Sequence, residues 1–285
     1  MPVIQYPDGE YAIDSTPIIH NLERRCAPAR TIYPNDAVLN YLSLLIEDFA
    51  DEWLTKCLFH YRFTYSADRR YGPQWVMDDT YPHASRDELD NLTEEFLARQ
   101  TERMPLVGCI PEHRELLEQT YHEVLEILEP HVSLETFLFG TRPTLADFGL
   151  FGQLKTLATD PTPREIMREK AARTDMWVMR MDDLSGVDGE FSSFDDIAPA
   201  VGQLLNLVCE VYLPYLQANS LAFNAGEDTF STTLRGHAYN QTTFKYQAKC
   251  LQVLRSEFAK LTETDQQNLA SLVGREALRV LETSA

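Results

Sequence analysis

Apolar residues in this chain recur every three or four positions over most of its length, and that period constrains its fold more than any other feature. Val38, Leu42, Leu45, Phe49 and Trp53 fall on one face, and Leu117, Tyr121, Val124 and Leu128 repeat the spacing. So do Val201, Leu204, Val208, Val211 and Tyr215, and later Leu251, Leu254, Phe258 and Leu261. A period near 3.6 is that of an α-helix and conflicts with the two-residue period of a strand. On ordinary helix lengths, residues 36–283 predict about seven or eight helices. No internal repeat or low-complexity tract interrupts them.

With 44% apolar residues among 285, the chain can bury a substantial core. Its 44 acidic and 25 basic side chains give a formal charge of -19. Such a field repels phosphate backbones and anionic headgroups, so nucleic acid and membrane surfaces are excluded as main partners. Cys26, Cys57, Cys109, Cys209 and Cys250 are odd in number and widely scattered, and no CxxC pair occurs. Reduced thiols, no bound metal and a cytoplasmic location are the expectation. Residues 1–25 do not resemble a signal peptide, and the apolar run "LLNLVCEVYLPYL" carries Glu210 and is too short to span a bilayer.

The first residues differ from the rest. Two β-like runs at 3–6 and 11–13 flank "PDGE", whose Asp8-Gly9 signals a tight hairpin. A helix is expected from Asp14 or Ser15, with Pro17 tolerated in its first turn. The division is then a small segment at 1–25, a Pro-bearing linker at 26–35, and an all-α domain at 36–285. Three breaks punctuate the helical pattern, at 66–85, 185–196 and 218–244. The first and third exceed ordinary connections, so each is expected to be a lid or a packed irregular segment.

Within "FLFGTRPTLADFGLFGQL", Thr144 and Asp147 have capping-box spacing ahead of an apolar helix. "FGTRPTLADFGLF" resembles the signature of the glutathione transferase superfamily, in which a Ser/Thr-x-x-Asp box opens a buried helix of the all-α domain. "TDMWVMRMDDL" resembles the helix that follows. "PVIQYPDGEYAIDSTPIIHNLE" is similar to the second half of that family's thioredoxin-like domain. The resemblance covers residues 2–25 and most of 36–183. It implies a mainly α fold, a transferase-like helical bundle preceded by a partial thioredoxin-like β-hairpin and helix.

It also implies glutathione as co-substrate, a small apolar electrophile as second substrate, and a homodimer. Pro2 then corresponds to the family's proline. Ser15 and the first-turn N–H groups would hold the glutamyl carboxylate, and Asp14 would approach its amino group. Apart from the resemblance, a helix N-terminus favours an anion through its unpaired N–H groups. Asp14 or Ser15 as a plain helix cap is the competing interpretation. Trp53, Cys57, Tyr61 and Tyr65 run in steps of four along one helix. In the family the corresponding helix lines the electrophile pocket, so Tyr61 and Tyr65 are candidate substrate contacts, with core packing as the alternative.

One departure limits the resemblance. The family's thiol-activating residue lies on a strand before the proline, and only Met1 precedes Pro2 here. The catalytic residue is therefore unassigned, and poor turnover is expected. A non-catalytic binding or assembly module is the rival expectation. Elsewhere, "EDFADEW" (Glu47, Asp48, Asp51, Glu52) suggests a solvated acidic face, and Arg62 either an ion pair or a cleft residue.

Overall fold

The computed structural model describes residues 2–26 and 30–282, and the chain is mainly helical, as the apolar period requires. Strands β1 (Val3–Gln5) and β2 (Tyr11–Ile13) pair antiparallel with Val3 opposite Ile13. Gly9 turns the hairpin at φ +88°, a left-handed conformation that glycine adopts without a Cβ clash. Helix α1 (Ser15–Cys26) follows, burying Ile18 and half-burying Ile19 and Leu22. Residues 27–29 of the expected linker lie outside the described residues, as does Met1.

The core is built on a continuous rod. Helix α2 (Ala37–Phe49) passes through a π turn, Ala50–Leu54, into α3 (Thr55–Thr64). The Asp36 carboxylate starts the rod by accepting the N–H groups of Val38 and Leu39 at 2.8 and 3.0 Å. Its stripe of Leu42, Leu45, Phe49 and Trp53 is fully enclosed. A second rod repeats the construction: α10 (Pro199–Leu207), a π turn at Val208–Tyr212, then α11 (Leu213–Ala225). The rods meet at their π turns, where Phe49 contacts Tyr212 edge-on at 5.9 Å and Trp53 contacts Tyr215 at 5.2 Å. A π turn adds a residue to the helical register and so re-aims the side chains beyond it.

Around the rods pack α4 (Ser66–Thr80), α5 (Arg86–Arg103), α6 (Arg114–His131), α7 (Leu145–Leu157), α8 (Pro161–Lys170) and α9 (Ala172–Met181). After α11 come strands β3 (Thr229–Leu234) and β4 (His237–Thr242), then α12 (Lys245–Phe258), α13 (Glu263–Val273) and the short α14 (Arg279–Glu282). Helix α7 begins at the expected box: the Asp147 carboxylate accepts the Thr144 N–H and hydroxyl, both at 2.8 Å, and the Leu138 N–H at 2.9 Å.

Two expected loops are ordered elements, and the described helices outnumber the seven or eight expected. The 66–85 break contains α4 despite Gly72-Pro73, because tertiary contacts fix it. Gly72 packs directly against the Arg62 side chain, and the buried Asp68 carboxylate accepts the N–H of Thr162 at 2.9 Å. The 218–244 break holds the end of α11 and a hairpin whose Arg235 and Gly236 both have positive φ, at +50° and +82°. That pair of signs matches the right-handed twist of two-residue hairpins. Among the described residues no helix is long and apolar enough to cross a membrane.

Candidate functional site

The N-terminal tip of α1 is built from one conformational exception. Asp14 adopts φ +77°, which a residue with a Cβ rarely holds. Its N–H donates to the Pro2 carbonyl at 3.2 Å, and its own carbonyl accepts the Ile18 N–H at 3.2 Å. The chain thus turns sharply from the hairpin into the helix, leaving first-turn N–H groups at the tip. The Ser15 hydroxyl is half-buried and, among the described residues, has no hydrogen-bond partner.

The tip faces carboxylates of the first rod. Thr16 donates its hydroxyl to Glu47 Oε1 at 2.8 Å. Glu47 is only 6% exposed, so the expected solvated acidic face is instead largely enclosed. Helix α7 makes the enclosure: a Cβ at Gly149 would stand 3.0 Å from the Glu47 Cα, a tight contact that glycine avoids. Asp51, half-buried, accepts from the Gln153 amide of α7 at 3.3 Å. Asp48 accepts the Tyr212 hydroxyl at 2.6 Å, and Glu52 accepts the Gln247 amide at 2.6 Å.

Crowding these acids out of water favours their protonated forms. Burial, helped by Asp51, pushes Glu47 up to about 8, although the Thr16 hydrogen bond pulls the other way. Burial lifts Glu52 to about 7, reinforced by Asp48. Burial lifts Asp48 to about 6 against the hydroxyl of Tyr212. Asp51 is raised as well, by burial and then by Asp14, which also acts on Glu47. Among the described residues no cluster of His, Cys, Asp and Glu could hold a metal ion. Chemically, the arrangement offers amide donors at a helix tip beside carboxylates that gain by meeting a cation.

The sequence-derived candidates divide into two groups. Pro2, Asp14 and Ser15 come together at the α1 tip. Tyr61 and Tyr65 stack on each other at 5.8 Å, with Tyr61 edge-on to Tyr121 at 5.3 Å. They lie fourteen or more residues beyond Glu47 on the same rod, a rise of about 21 Å. A ligand with its head at the tip would have to extend along that length of rod to touch them. Tyr61 is buried with its hydroxyl unpartnered, while the Tyr65 hydroxyl donates to Glu118. Arg62 forms a buried bidentate pair with Asp160 at 2.8 and 3.1 Å and does not face a cleft. What sequence reasoning missed is Glu47 and Asp51 as neighbours of the tip; the small residue Gly149, two positions after Asp147 of the capping box, was the one faint signal. Compared with known proteins, the chain matches no family model, no curated protein and no solved structure.

Proposed function

We propose that the α1 tip binds the zwitterionic head of a γ-glutamyl peptide, with glutathione as the ligand, in the manner of glutathione transferases. One observation carries this reading: the α1 tip is tied to the first rod by the Thr16–Glu47 hydrogen bond, which brings Asp14, in its left-handed conformation, near enough to Glu47 and Asp51 to raise both. A carboxylate is favoured by the first-turn N–H groups, the partial positive end of α1 and the free Ser15 hydroxyl. An ammonium a few ångströms away is favoured by Asp14, Glu47 and Asp51. An α-amino-acid head carries both charges on one carbon, so it answers both halves at once.

The reading is one of binding. Thr16 already donates to Glu47 and is not free to steady a thiolate, so no residue is assigned to thiol activation. Calorimetric titration with glutathione tests the proposal: the chain gives saturable binding, weakened about fivefold or more in Ser15→Ala, the cost of one hydrogen bond to a charged group. Absence of saturable heat, or equal affinity in Ser15→Ala, overturns it. An aromatic-halide conjugation assay reads any transfer to an apolar electrophile, and little turnover is expected.

A second reading, a non-catalytic assembly module, is favoured by the outer face of the first hairpin. Val3, Tyr11 and Ile13 are 61%, 67% and 54% exposed on that face. Such a patch is a candidate contact for a second copy of the chain. Sedimentation of the chain beside Tyr11→Lys distinguishes a dimer held there from a monomer.

A further inference from the structure

The far end of the first rod borders a separate cavity of about 320 Å³, between α3, the start of α4, the end of α5 and the start of α6. Two arginines line it, Arg69 from α4 and Arg114 from α6. In a chain with 44 acids to 25 bases, most arginines could find a carboxylate; among the described residues these two form no ion pair. Arg69 donates to the Phe63 carbonyl at 2.9 Å, and Arg114 lies over the Tyr65 ring at 5.9 Å. Both keep guanidinium donors for another acceptor. Arg114 also opens α6, so the positive end of that helix adds to the field.

The rest of the lining is divided by polarity. Phe63, Met104 and Ile110 supply an apolar wall. His60 and Thr64 form the polar side: the His60 ring bonds Glu118 through Nε2 at 2.9 Å and Thr64 through Nδ1 at 3.3 Å. Glu118 is the carboxylate in contact with this lining, and it already accepts from His60 and Tyr65. Burial lowers His60, and the lining itself carries two guanidinium charges and no carboxylate, with Glu118 and Asp68 next to it.

We infer that this cavity binds a small organic monocarboxylate with an apolar body, its head on Arg69 and Arg114 and its body against Phe63, Met104 and Ile110. The volume falls at the small end of ligand cavities and suits a chain of several carbons or a single ring. A bidentate guanidinium–carboxylate contact fixes the head, and desolvation of the body supplies the remaining affinity. The site is independent of the α1 tip, which lies on the opposite stretch of the rod.

Three probes titrated against the whole chain test the inference: octanoate, octanol and inorganic phosphate. Octanoate binds saturably, octanol at least tenfold more weakly, and phosphate without saturation. Arg114→Gln weakens octanoate at least tenfold, and Arg69→Gln with Arg114→Gln abolishes saturable binding, while circular dichroism shows both variants folded. Arg114 is exposed, so its replacement leaves the core intact. Ser15→Ala leaves octanoate binding unchanged, which separates this site from the glutathione reading. Octanol binding as tightly as octanoate, phosphate binding comparably, or octanoate affinity untouched by Arg114→Gln overturns the inference.

Discussion

At the scale of single residues, Glu47 is the most informative side chain. It is enclosed by Gly149, bonded by Thr16 and crowded by Asp51, and its proton is held up to about 8. Unfolded, the same carboxyl ionises near 4.5, so the folded chain holds an extra proton between those values. Ionisation therefore favours the unfolded chain increasingly as pH rises through that window. Glu47→Gln keeps an acceptor for Thr16 without the charge. It should stabilise the fold by about 1–3 kcal/mol at pH 8 and much less at pH 5, read by urea denaturation. A gain that is equal at both pH values, or a loss at pH 8, contradicts this account of the site. The acidic spacing of "EDFADEW" was visible in the sequence, but its burial was not. Helical spacing of acids looks the same on a wet face and on a covered one, and what covers this one comes from residues about a hundred positions away.

At the scale of elements, the helical periods, the first hairpin and the Thr144–Asp147 box were legible, because each is written in local spacing. Helix α4 and the second hairpin were not. Gly72-Pro73 locally argues against a helix, and long-range contacts override it. The strands of the second hairpin are rich in Thr, Ser, Asn and Gln, so they lack a strong apolar alternation. Arg62 shows how α4 is retained. It pairs with the fully enclosed Asp160 at the start of α8, while its stem fills the groove left by Gly72. Arg62→Ala strands the Asp160 charge and opens that groove, with an expected loss of about 3–5 kcal/mol in urea denaturation. A loss below about 1 kcal/mol would mean that α4 is held by other contacts.

At the scale of the whole molecule, the buried acids act together. Glu47, Glu52 and Asp48 are raised to about 8, 7 and 6, each first by burial, and Asp147 is raised to about 6 by the same cause. Native protons on these groups exceed those of the unfolded chain between the ordinary carboxyl values and these ones, so stability falls as pH rises there. Burial lowers His60, His113, His122 and His131, which costs stability as pH drops below their ordinary 6.5. The two trends oppose each other on the acid side and leave the alkaline side to the carboxyls. Stability should therefore decline from pH 6.5 to 8.5, by about 1–2 kcal/mol per pH unit near neutrality, in contrast to a fold held by surface ion pairs. Thermal melts across that range that stay level or rise contradict it.

The same proton links stability to the proposed binding. An ammonium seated beside Glu47 favours its ionised form, so a ligand head that carries one must displace the proton. Calorimetry of glutathione binding at pH 7, in two buffers of different ionisation enthalpy, measures that directly. Net proton release that disappears in Glu47→Gln is the predicted result. Binding with no change in protonation, indifferent to Glu47→Gln, would place the ligand's amino group elsewhere and remove the α1 tip from the account.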